Sequence, residues 1–282
     1  MTRLRDFFWY WGFKAFCEVK HPRIWPLRKL RSFVRLLKGS KPAPQVWGAP
    51  QETPKIIWMF WAQGWEGAPV LVKACRDSWI ARNPDWEVRV LDSKSIEGKM
   101  EFDYPLTGKT LTPTNYANVL RLTLLSKEGG VWVDATTYCN TPLDAWLPAK
   151  LISGAFVYEK PKTTVADWLV AAKPNHPLIN GWKAYEYRYW RYAKNQWRYF
   201  WPHYLFEYLI FLSPSMVREY RNMPRVSSDP VYAAQWYFKK GGREAETFMQ
   251  HLTNDNAPLS KLDWRMELPP DMLGRMRESF ER

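Results

Sequence analysis

The 282-residue sequence predicts an α/β fold in which a sheet of parallel strands is flanked by helices. The run 55–61, KIIWMFW, is almost wholly apolar, as is typical of a strand covered on both faces. Residues 69–82 have a helical pattern, and the alternating segment 86–92 predicts a second strand. Strand, helix and strand together make a unit of βαβ size, which favours parallel pairing.

The residues that follow the first strand are candidate ligand contacts. In open α/β sheets ligands bind beyond the carboxyl ends of the strands, and Trp61, Gln63 and Gly64 occupy that position. Neither a G-x-G-x-x-G nor a G-x-x-x-x-G-K-[ST] pattern occurs in the sequence. This disfavours nicotinamide-dependent oxidoreductases and P-loop NTPases.

Residues 111–139, LTPTNYANVLRLTLLSKEGGVWVDATTYC, form the most informative segment. Thr112 and Pro113 predict the start of a helix, because Thr is a common N-cap and Pro suits the first helical position. Gly129 and Gly130 predict its end, since glycine readily takes the left-handed conformation of a C-terminal cap. An apolar strand is expected to follow at once.

Three polar residues of this segment are placed to act together. Asn118 and Arg121 are three residues apart and therefore share a helix face. Asp134 stands where the predicted strand ends, after apolar neighbours, so its carboxylate lies at the edge of the core and can hold a divalent cation. An Asp after a strand also commonly begins a turn, and its position alone leaves both interpretations open.

The rest of the chain continues the alternation of elements. Residues 151–158 resemble a strand, and the last twenty residues are predicted to form a frayed tail. Helices are predicted at 165–172, 177–193 and 203–212.

Two features of these later helices have more than one interpretation. His203 and Glu207 share a helix face on which acid–base chemistry is possible, but we interpret them as structural residues. The aromatic and arginine-rich run 185–201 can stack on sugars or touch a membrane interface, or its rings can pack inside the domain.

The N-terminal segment differs from the rest in charge and aromatic content. Residues 1–41 carry a net charge of +9 out of the chain's +13, and their Lys and Arg residues are interleaved with aromatic and aliphatic ones. Their apolar stretches are too short for a bilayer span, which takes about 20 residues, and they lack a signal-peptide cleavage pattern. The segment is typical of a helix lying on an anionic membrane, and an amphipathic helix docked on the main domain is the alternative.

The chain divides at a linker-like stretch, GSKPAP, at residues 39–44. Residues 1–45 are predicted to form a basic, aromatic, amphipathic helical segment for membrane association with its linker. Residues 46–282 are predicted to form one domain, because no second boundary is evident.

The cysteines predict no metal site. Cys17, Cys75 and Cys139 are widely spaced and form neither a C-x-x-C pair nor a Cys/His ligand pattern. Three thiols suit a reducing compartment, where we expect them to be buried as small apolar side chains.

Two motifs, PKIIWMFWAQG at 54–64 and YANVLRLTLLSKEGGVWVDAT at 116–136, resemble the bacterial capsular polysaccharide synthesis family of glycosyltransferases. The resemblance covers roughly residues 50–270. This family is similar to DXD-containing α-mannosyltransferases and to glucosylating bacterial toxins. It implies the GT-A fold, a Rossmann-like nucleotide-sugar-binding sheet flanked by helices, here with an N-terminal amphipathic helical appendage.

The resemblance implies roles for particular residues. Trp61 resembles the aromatic residue that stacks on the nucleotide base, and Arg121 the arginine that contacts the donor sugar and phosphate. Asp134 resembles the first acid of the DXD motif, which implies a catalytic role and a Mn²⁺ or Mg²⁺ ligand. The sequence departs from the pattern where Asn118 replaces an Asp and Thr136 replaces the second acid, so a metal would need donor phosphates, water or another ligand.

Two further places match the family less closely. The stretch PLSKLDW at 258–264 resembles a His-Lys-Leu stretch, with Ser260 in the position of the His. Lys261 then neutralises the diphosphate, or is a solvated surface lysine. Asp167 and Trp168 resemble an Asn/Asp-Trp pair and imply contacts to the acceptor.

The resemblance as a whole implies transfer of a sugar, with retention, from a nucleotide-diphosphate donor to a lipid-linked oligosaccharide or growing capsular or cell-surface polysaccharide. The expected location is cytoplasmic, peripheral on the inner face of the cell membrane through residues 1–41. One alternative is a transferase that modifies lipopolysaccharide core or a protein. Asn118 and Thr136 also allow a non-catalytic scaffold of the same fold. A basic nucleic-acid-binding protein is opposed by the low charge of the main domain and the absence of a known motif, so no nucleic-acid partner is expected.

Overall fold

A five-stranded mixed sheet lies at the centre of the protein, with strand order β2-β1-β3-β6-β5. The computed structural model describes residues 2–20, 52–97, 106, 108–109, 111–160, 164–254 and 256–281, and it describes the side chains from residue 6 to residue 280 of these ranges. The predicted linker at 39–44 and the basic residues 21–41 lie outside the described residues.

Three strands form the parallel half of the sheet: β1 (Ile56–Phe60), β2 (Glu87–Leu91) and β3 (Gly130–Val133). β1 pairs in parallel with both neighbours, so the predicted βαβ unit is confirmed. The apolar run of β1 is buried because its side chains alternate between two cores, with Ile57 on one face and Trp58 on the other. The carboxyl ends of β1 and β3 therefore meet at one edge of the sheet.

The other half of the sheet is antiparallel, which corrects the prediction of a parallel sheet. β5 (Ala155–Lys160) and β6 (Thr164–Ala172) form a hairpin, and β6 pairs antiparallel with β3. The prediction of a helix at 165–172 was wrong. That stretch is apolar on both faces of a central strand, and a short continuous apolar run cannot be distinguished from a buried helix by periodicity.

Helices cover both faces of the sheet. They are α1 (Thr2–Lys20), α2 (Val70–Arg82), α3 (Ser93–Ile96), α4 (Pro113–Lys127), α5 (Pro177–Tyr192), α6 (Trp201–Leu212), α7 (Pro214–Asn222), α8 (Ala233–Lys239), α9 (Ala245–Leu252) and α10 (Pro270–Glu281). Helices α4, α5 and α6 pack on one face, and α2 packs on the other. Short 3-10 turns lie at Leu143–Ala145, Pro148–Lys150 and Asp229–Tyr232.

Residues Pro270–Glu281 form a helix, so the prediction of a frayed tail was wrong for them. They form α10, whose Met272 and Met276 are fully buried against α2 and α9. The two methionines are four residues apart and so lie on one helix face, which anchors the last turns of the chain.

A small second sheet stands beside the main one. β4 (Thr137–Cys139) pairs antiparallel with β7 (Leu259–Lys261), and Thr137 lies opposite Lys261. Because only three residues lie between the end of β3 and the start of β4, this pairing brings a distant part of the chain to the carboxyl edge of the main sheet.

Helix α1 docks on α5 and α6. Its Tyr10, Phe13 and Cys17 are buried among aromatic rings such as Tyr189 and Tyr208, so the alternative of a docked amphipathic helix describes this face of α1. Among the helices that the structure describes, none is long and apolar enough to cross a membrane.

All three cysteines are buried and unpaired, as the sequence predicted. Burial raises the pKa of the Cys75 and Cys139 thiols to about 12 each and that of Cys17 further still. In the folded protein these thiols are protonated at neutral pH and are unreactive.

The turn between α4 and β3 depends on glycine. Thr112 caps α4 by accepting a hydrogen bond from the Asn115 N–H (3.2 Å), and Gly129 and Gly130 end it with φ of +72° and +94°, as predicted. The Trp58 indole fixes the turn by donating to the Gly129 carbonyl (2.9 Å).

We expect Gly130→Ala to lower the free energy of unfolding by about 2–4 kcal/mol, because a side chain strains this φ and overpacks the sheet. A Cβ at Gly130 would lie 2.6 Å from the carbonyl oxygen of Ile56. Urea unfolding measures the change. Gly274→Ala in α10 is the control: a Cβ there meets nothing within 4 Å, so we expect stability to be unchanged or to rise by about 0.5–1 kcal/mol. Equal effects of the two substitutions would contradict this account of the turn.

Candidate functional site

Asp134 lies at the carboxyl edge of the sheet, immediately after β3. Its backbone N–H donates to the carbonyl of Trp168 on β6 (2.8 Å), and its own carbonyl accepts from the Thr137 N–H (2.9 Å). The residue is thus held between the end of one strand and the start of the next. Its side chain is 34% exposed, whereas the three strand residues before it are buried, so the carboxylate points out of the core.

The buried Arg121 side chain contacts the Asp134 carboxylate from the core side. Its guanidinium is 4% exposed and contacts two acids, with Nη2 3.3 Å from Asp134 Oδ1 and Nη1 2.8 Å from Asp167 Oδ2. The Trp132 indole N–H also donates to Asp134 Oδ1 (3.1 Å), and its ring lies under the guanidinium at 5.3 Å. Helix α4 and strands β3 and β6 therefore converge on one buried ion network.

The electrostatics of this network keep Arg121 and Asp167 charged. Burial opposes the charge on Arg121, but the carboxylates of Asp167, Asp134 and Glu186 outweigh it and raise the pKa of Arg121 above its usual value. Burial likewise would raise the pKa of Asp167, but His203 and Arg121 hold it well below its usual range. Asp167 is therefore an ionised structural partner and not a free general base.

His203 belongs to this network, which the sequence interpretation missed. Its Nε2 lies 3.1 Å from Asp167 Oδ1, and its Nδ1 is buried without a hydrogen-bond partner among the described residues. Glu207, four residues later, instead accepts a hydrogen bond from Thr164 (2.5 Å). Helical spacing suggested a His203–Glu207 pair, but the partner of His203 comes from β6, which was predicted as a helix.

Lys261 reaches the site from the small second sheet. Its ammonium donates to the Thr136 hydroxyl and lies 3.7 Å from Asp134 Oδ2. Thr136, in place of a second acid, therefore contacts a cation. Ser260 points away into the core, where its hydroxyl donates to the Leu252 carbonyl (2.5 Å). This position of Lys261 beside Asp134 is compatible with contact to a diphosphate, and its role stays a prediction.

The end of β1 supplies the aromatic part of the site. β1 and β3 pair in register, with Trp58 opposite Trp132, so Trp61 and Asp134 lie at the same edge of the sheet. Trp61 is half-buried and makes an edge-to-face contact with the exposed Trp264, ring centroids 6.3 Å apart. Trp264 was not assigned from the sequence, although it lies three residues after Lys261.

Three other predicted residues lie near these groups. Gln63 is exposed, and Gly64 has a φ of +92° in the turn after β1. Asn118 is buried on α4 one turn before Arg121. Their positions agree with the predicted edge, and their roles stay predictions.

Asp167 and Trp168 do not form one surface. Successive strand residues face opposite sides of a sheet, so Asp167 joins the ion network while the Trp168 ring is buried in the other core, stacked on Tyr158 with centroids 5.2 Å apart. The sequence predicted that both residues contact the acceptor. In this structure the Trp168 ring is instead buried in the core, which corrects that prediction for Trp168.

The residues around Asp134 fit a divalent cation only together with a diphosphate. Within the described part of the chain, no group of three or more His, Cys, Asp or Glu side chains is placed to hold a metal ion. Asp134 can supply one carboxylate ligand. Mg²⁺ is commonly held by one or two carboxylates with substrate phosphates and water, so one ligand is compatible with a shared site.

Comparison with known proteins identifies relatives of this chain. The model of a family described as "Capsular polysaccharide synthesis protein" matches residues 47–274 of this chain. The chain is 26% identical over 171 residues to the O-glycosyltransferase braB of Annulohypoxylon truncatum, a match that covers 52% of this chain and 40% of that protein. It is 32% identical over 103 residues to the glycosyltransferase afumC of Aspergillus fumigatus, covering 32% of this chain and 26% of the relative.

The matches to these two relatives thus span less than half of the relatives' own length. Among solved structures, the PaToxG glycosyltransferase aligns with a TM-score of 0.43 and 13% identity, over 99% of this chain and 96% of that chain.

Proposed function

The chain belongs to the capsular polysaccharide synthesis protein family, and from that premise we propose that it is a glycosyltransferase that uses a nucleotide-diphosphate sugar. The observation that carries the proposal is Asp134, which lies inside the matched region at the carboxyl edge of the sheet, between Arg121 and Lys261. Ligands of α/β sheets bind at such an edge.

The donor extends from the aromatic end of β1 to the charged end of β3. Trp61 stacks on the base, with Trp264 beside it, and Gln63 and Gly64 border the nucleotide. The half-buried Trp61 ring supports this orientation, because part of the side chain is accessible at the edge of the sheet where Asp134 lies. The diphosphate then lies near Lys261.

The groups around Asp134 stabilise the leaving nucleotide. Negative charge develops on the diphosphate as the glycosidic bond to the donor breaks, and a fixed cation lowers the cost of that charge. Lys261 supplies such a charge, and its contact with Thr136 orients it. Arg121 is buried beneath the two acids, so it acts as a positioning residue for Asp134, and Asn118 binds the sugar from the same helix.

Transfer occurs with retention of configuration in this proposal. An inverting reaction needs a general base on the acceptor side. The lowered pKa of Asp167 supports the absence of that role for this carboxylate, since it is committed to Arg121 and His203. The anomer of the first product, assigned by proton NMR of the new linkage, tests this assignment, and an inverted product would contradict it.

Asp134 would hold a divalent cation, Mn²⁺ or Mg²⁺, together with the donor diphosphate. When bound, such an ion neutralises the diphosphate as a Lewis acid. Support comes from the Asp134 side chain, which is 34% exposed at the carboxyl edge of the sheet.

The acceptor is a hydroxyl of a lipid-linked oligosaccharide or of a growing capsular or cell-surface polysaccharide. The family's description supports a polysaccharide product. The reaction takes place in the cytoplasm at the inner face of the cell membrane, and three unpaired, buried cysteines suit that reducing compartment.

Calorimetry with UDP, GDP and CMP, each with and without Mn²⁺, tests the donor site. We expect one nucleotide to bind and Mn²⁺ to tighten its binding at least about tenfold, because Asp134 and the diphosphate would both supply ligands to the ion. Failure of the folded protein to bind any nucleotide would contradict the transferase proposal and favour a non-catalytic scaffold.

We expect Lys261→Met to weaken binding of that nucleotide by about 10–100-fold, because a charged hydrogen bond is worth roughly 1.5–3 kcal/mol. Calorimetry measures the change. Lys239→Met is the matched control. Lys239 is an exposed lysine whose Nζ lies 3.0 Å from Asp263 Oδ2, and Asp263 is close in sequence to Lys261. We expect the control to bind as tightly as the wild type, and equal losses in both variants would contradict a specific role of Lys261.

A further inference from the structure

Helix α1 turns an apolar face to solvent on the side opposite its docked face. The buried Tyr10, Phe13 and Cys17 recur at helical spacing and attach the helix to α5 and α6. Phe8 is 65% exposed and Trp11 52% exposed, and Phe7 and Val19 are exposed with them. A helix docked on a globular domain usually has polar residues on its outer side, so the exposed apolar side chains of α1 are unusual.

The apolar surface continues from α1 onto the end of α6. Phe16 contacts Phe211 with ring centroids 5.1 Å apart, and both Phe211 and Leu212 are exposed. We call the exposed side chains Phe7, Phe8, Trp11, Val19, Phe211 and Leu212 the α1–α6 face. Contiguous exposed apolar residues of this kind mark an interaction surface more often than scattered ones do.

The charges beside this face identify its partner. Lys14 lies over the Trp11 ring at 4.7 Å, and both Arg188 and Arg191 of α5 pair with the single carboxylate of Asp6 on α1, at 3.5 and 2.7 Å, so positive charge exceeds negative charge there. The chain that continues from Lys20 carries seven Lys or Arg and no Asp or Glu between residues 21 and 41. Aromatic side chains among cations match the interface of an anionic bilayer, where rings lie at the headgroup level and cations meet lipid phosphates.

We propose that the α1–α6 face is the surface by which the protein lies on an anionic membrane. The apolar side chains insert at the boundary between headgroups and acyl chains, and the neighbouring cations contact lipid phosphates. A second copy of the chain would bring the same positive charge to this face, which disfavours self-association there.

Helix α6 connects this surface to the candidate site. His203, which contacts Asp167, and Phe211 are eight residues apart on α6, about 12 Å along the helix axis. Whatever the tilt of the helix, the backbone at His203 therefore stays close to the bilayer surface. Resting on the proposed function, this places the donor site where the first sugars of a lipid-linked acceptor can reach it.

Flotation of the full chain with phosphatidylcholine vesicles, with and without phosphatidylglycerol, tests the proposal. The test variant is Phe8→Ser with Trp11→Ser, and the matched control is Ile80→Ser with Trp236→Ser, which removes an exposed aliphatic side chain (49%) and an exposed indole (45%) elsewhere on the surface. Thermal unfolding verifies that both variants fold. Calorimetry with the donor nucleotide is measured in parallel, so a failure of the membrane proposal is distinguishable from a failure of the proposed function.

We expect the wild type and the control to bind the anionic vesicles, and the Phe8/Trp11 variant to bind at least about tenfold more weakly, because two half-exposed aromatic side chains no longer insert. Nucleotide binding is expected to be unchanged in all three proteins. Lack of binding by the wild type, equal binding to neutral vesicles, or equal binding by the Phe8/Trp11 variant would overturn the proposal. So would a concentration-dependent dimer that the Phe8/Trp11 variant abolishes while vesicle binding persists.

Discussion

Arg121→Met is expected to lower the free energy of unfolding by about 3–5 kcal/mol, because removing one member of a buried ion network leaves uncompensated charge. Arg121 is 4% exposed and is the cation between Asp134 and Asp167. Methionine fills a similar volume without a charge, so the measured loss reports the electrostatic role and not a cavity. Urea unfolding followed by circular dichroism gives the change.

Arg89→Met is the matched control for this prediction. Arg89 also bridges two carboxylates, Glu87 and Glu128, at 2.7 and 2.8 Å, but its side chain is 33% exposed. Solvent screens such a pair, and we expect a loss of no more than about 1 kcal/mol. Equal losses at the two positions would mean that burial of the Arg121 network is not what makes it important.

A second substitution distinguishes the contributions to stability of the two acids that Arg121 contacts. Adding Asp167→Asn to Arg121→Met removes the buried carboxylate that has lost its cation. The double variant should therefore be less destabilised than the sum of the two single changes, with a coupling of about 0.5–3 kcal/mol. Additive effects would mean that the loss of stability in Arg121→Met does not arise from its ion pair with Asp167.

The parts of the fold that the sequence predicted well carry their own local signals. Thr112, Pro113, Gly129 and Gly130 fix the ends of α4 by capping and by backbone conformation, so the helix and the position of Asp134 followed from neighbouring residues alone. β1 and β2 were predicted for the same reason. The contact of Lys261 with Thr136 was not predicted, since 125 residues separate the two in sequence, and the family resemblance indicated only that Lys261 neutralises the diphosphate.

The errors arose where tertiary contacts decide the structure. β6 is apolar along nearly its whole length, and only its pairing with β3 and β5 makes it a strand. Its misassignment also hid the partner of His203, because Asp167 reaches the histidine from a strand. In α10, the burial of Met272 and Met276 depends on α2 and α9, which short-range patterns do not reveal.

The largest effect on turnover is expected from Asp134→Asn, which should reduce nucleotide release from the donor sugar by about 10²–10³-fold, as loss of a group that orients charge stabilisation typically does. Asparagine keeps the shape of the side chain but removes the charge that faces Lys261 at 3.7 Å and would bind the cation. Because the side chain is 34% exposed, the fold should tolerate the change far better than Arg121→Met. The donor identified by calorimetry serves as substrate, and released nucleotide is quantified without acceptor.

Asp144→Asn provides the comparison, since Asp144 is an exposed carboxylate paired with Lys55 at 2.7 Å, outside the contacts of the Asp134 network. Its turnover should equal that of the wild type. If Asp134→Asn retains full turnover as well, the charge at the end of β3 has no part in transfer, and the assignment of this edge as the donor site is wrong. If Mn²⁺ tightens the nucleotide in the wild type but not in Asp134→Asn, the lost turnover is due to the shared cation. An equal loss with no change in metal response would assign it to the orientation of Lys261.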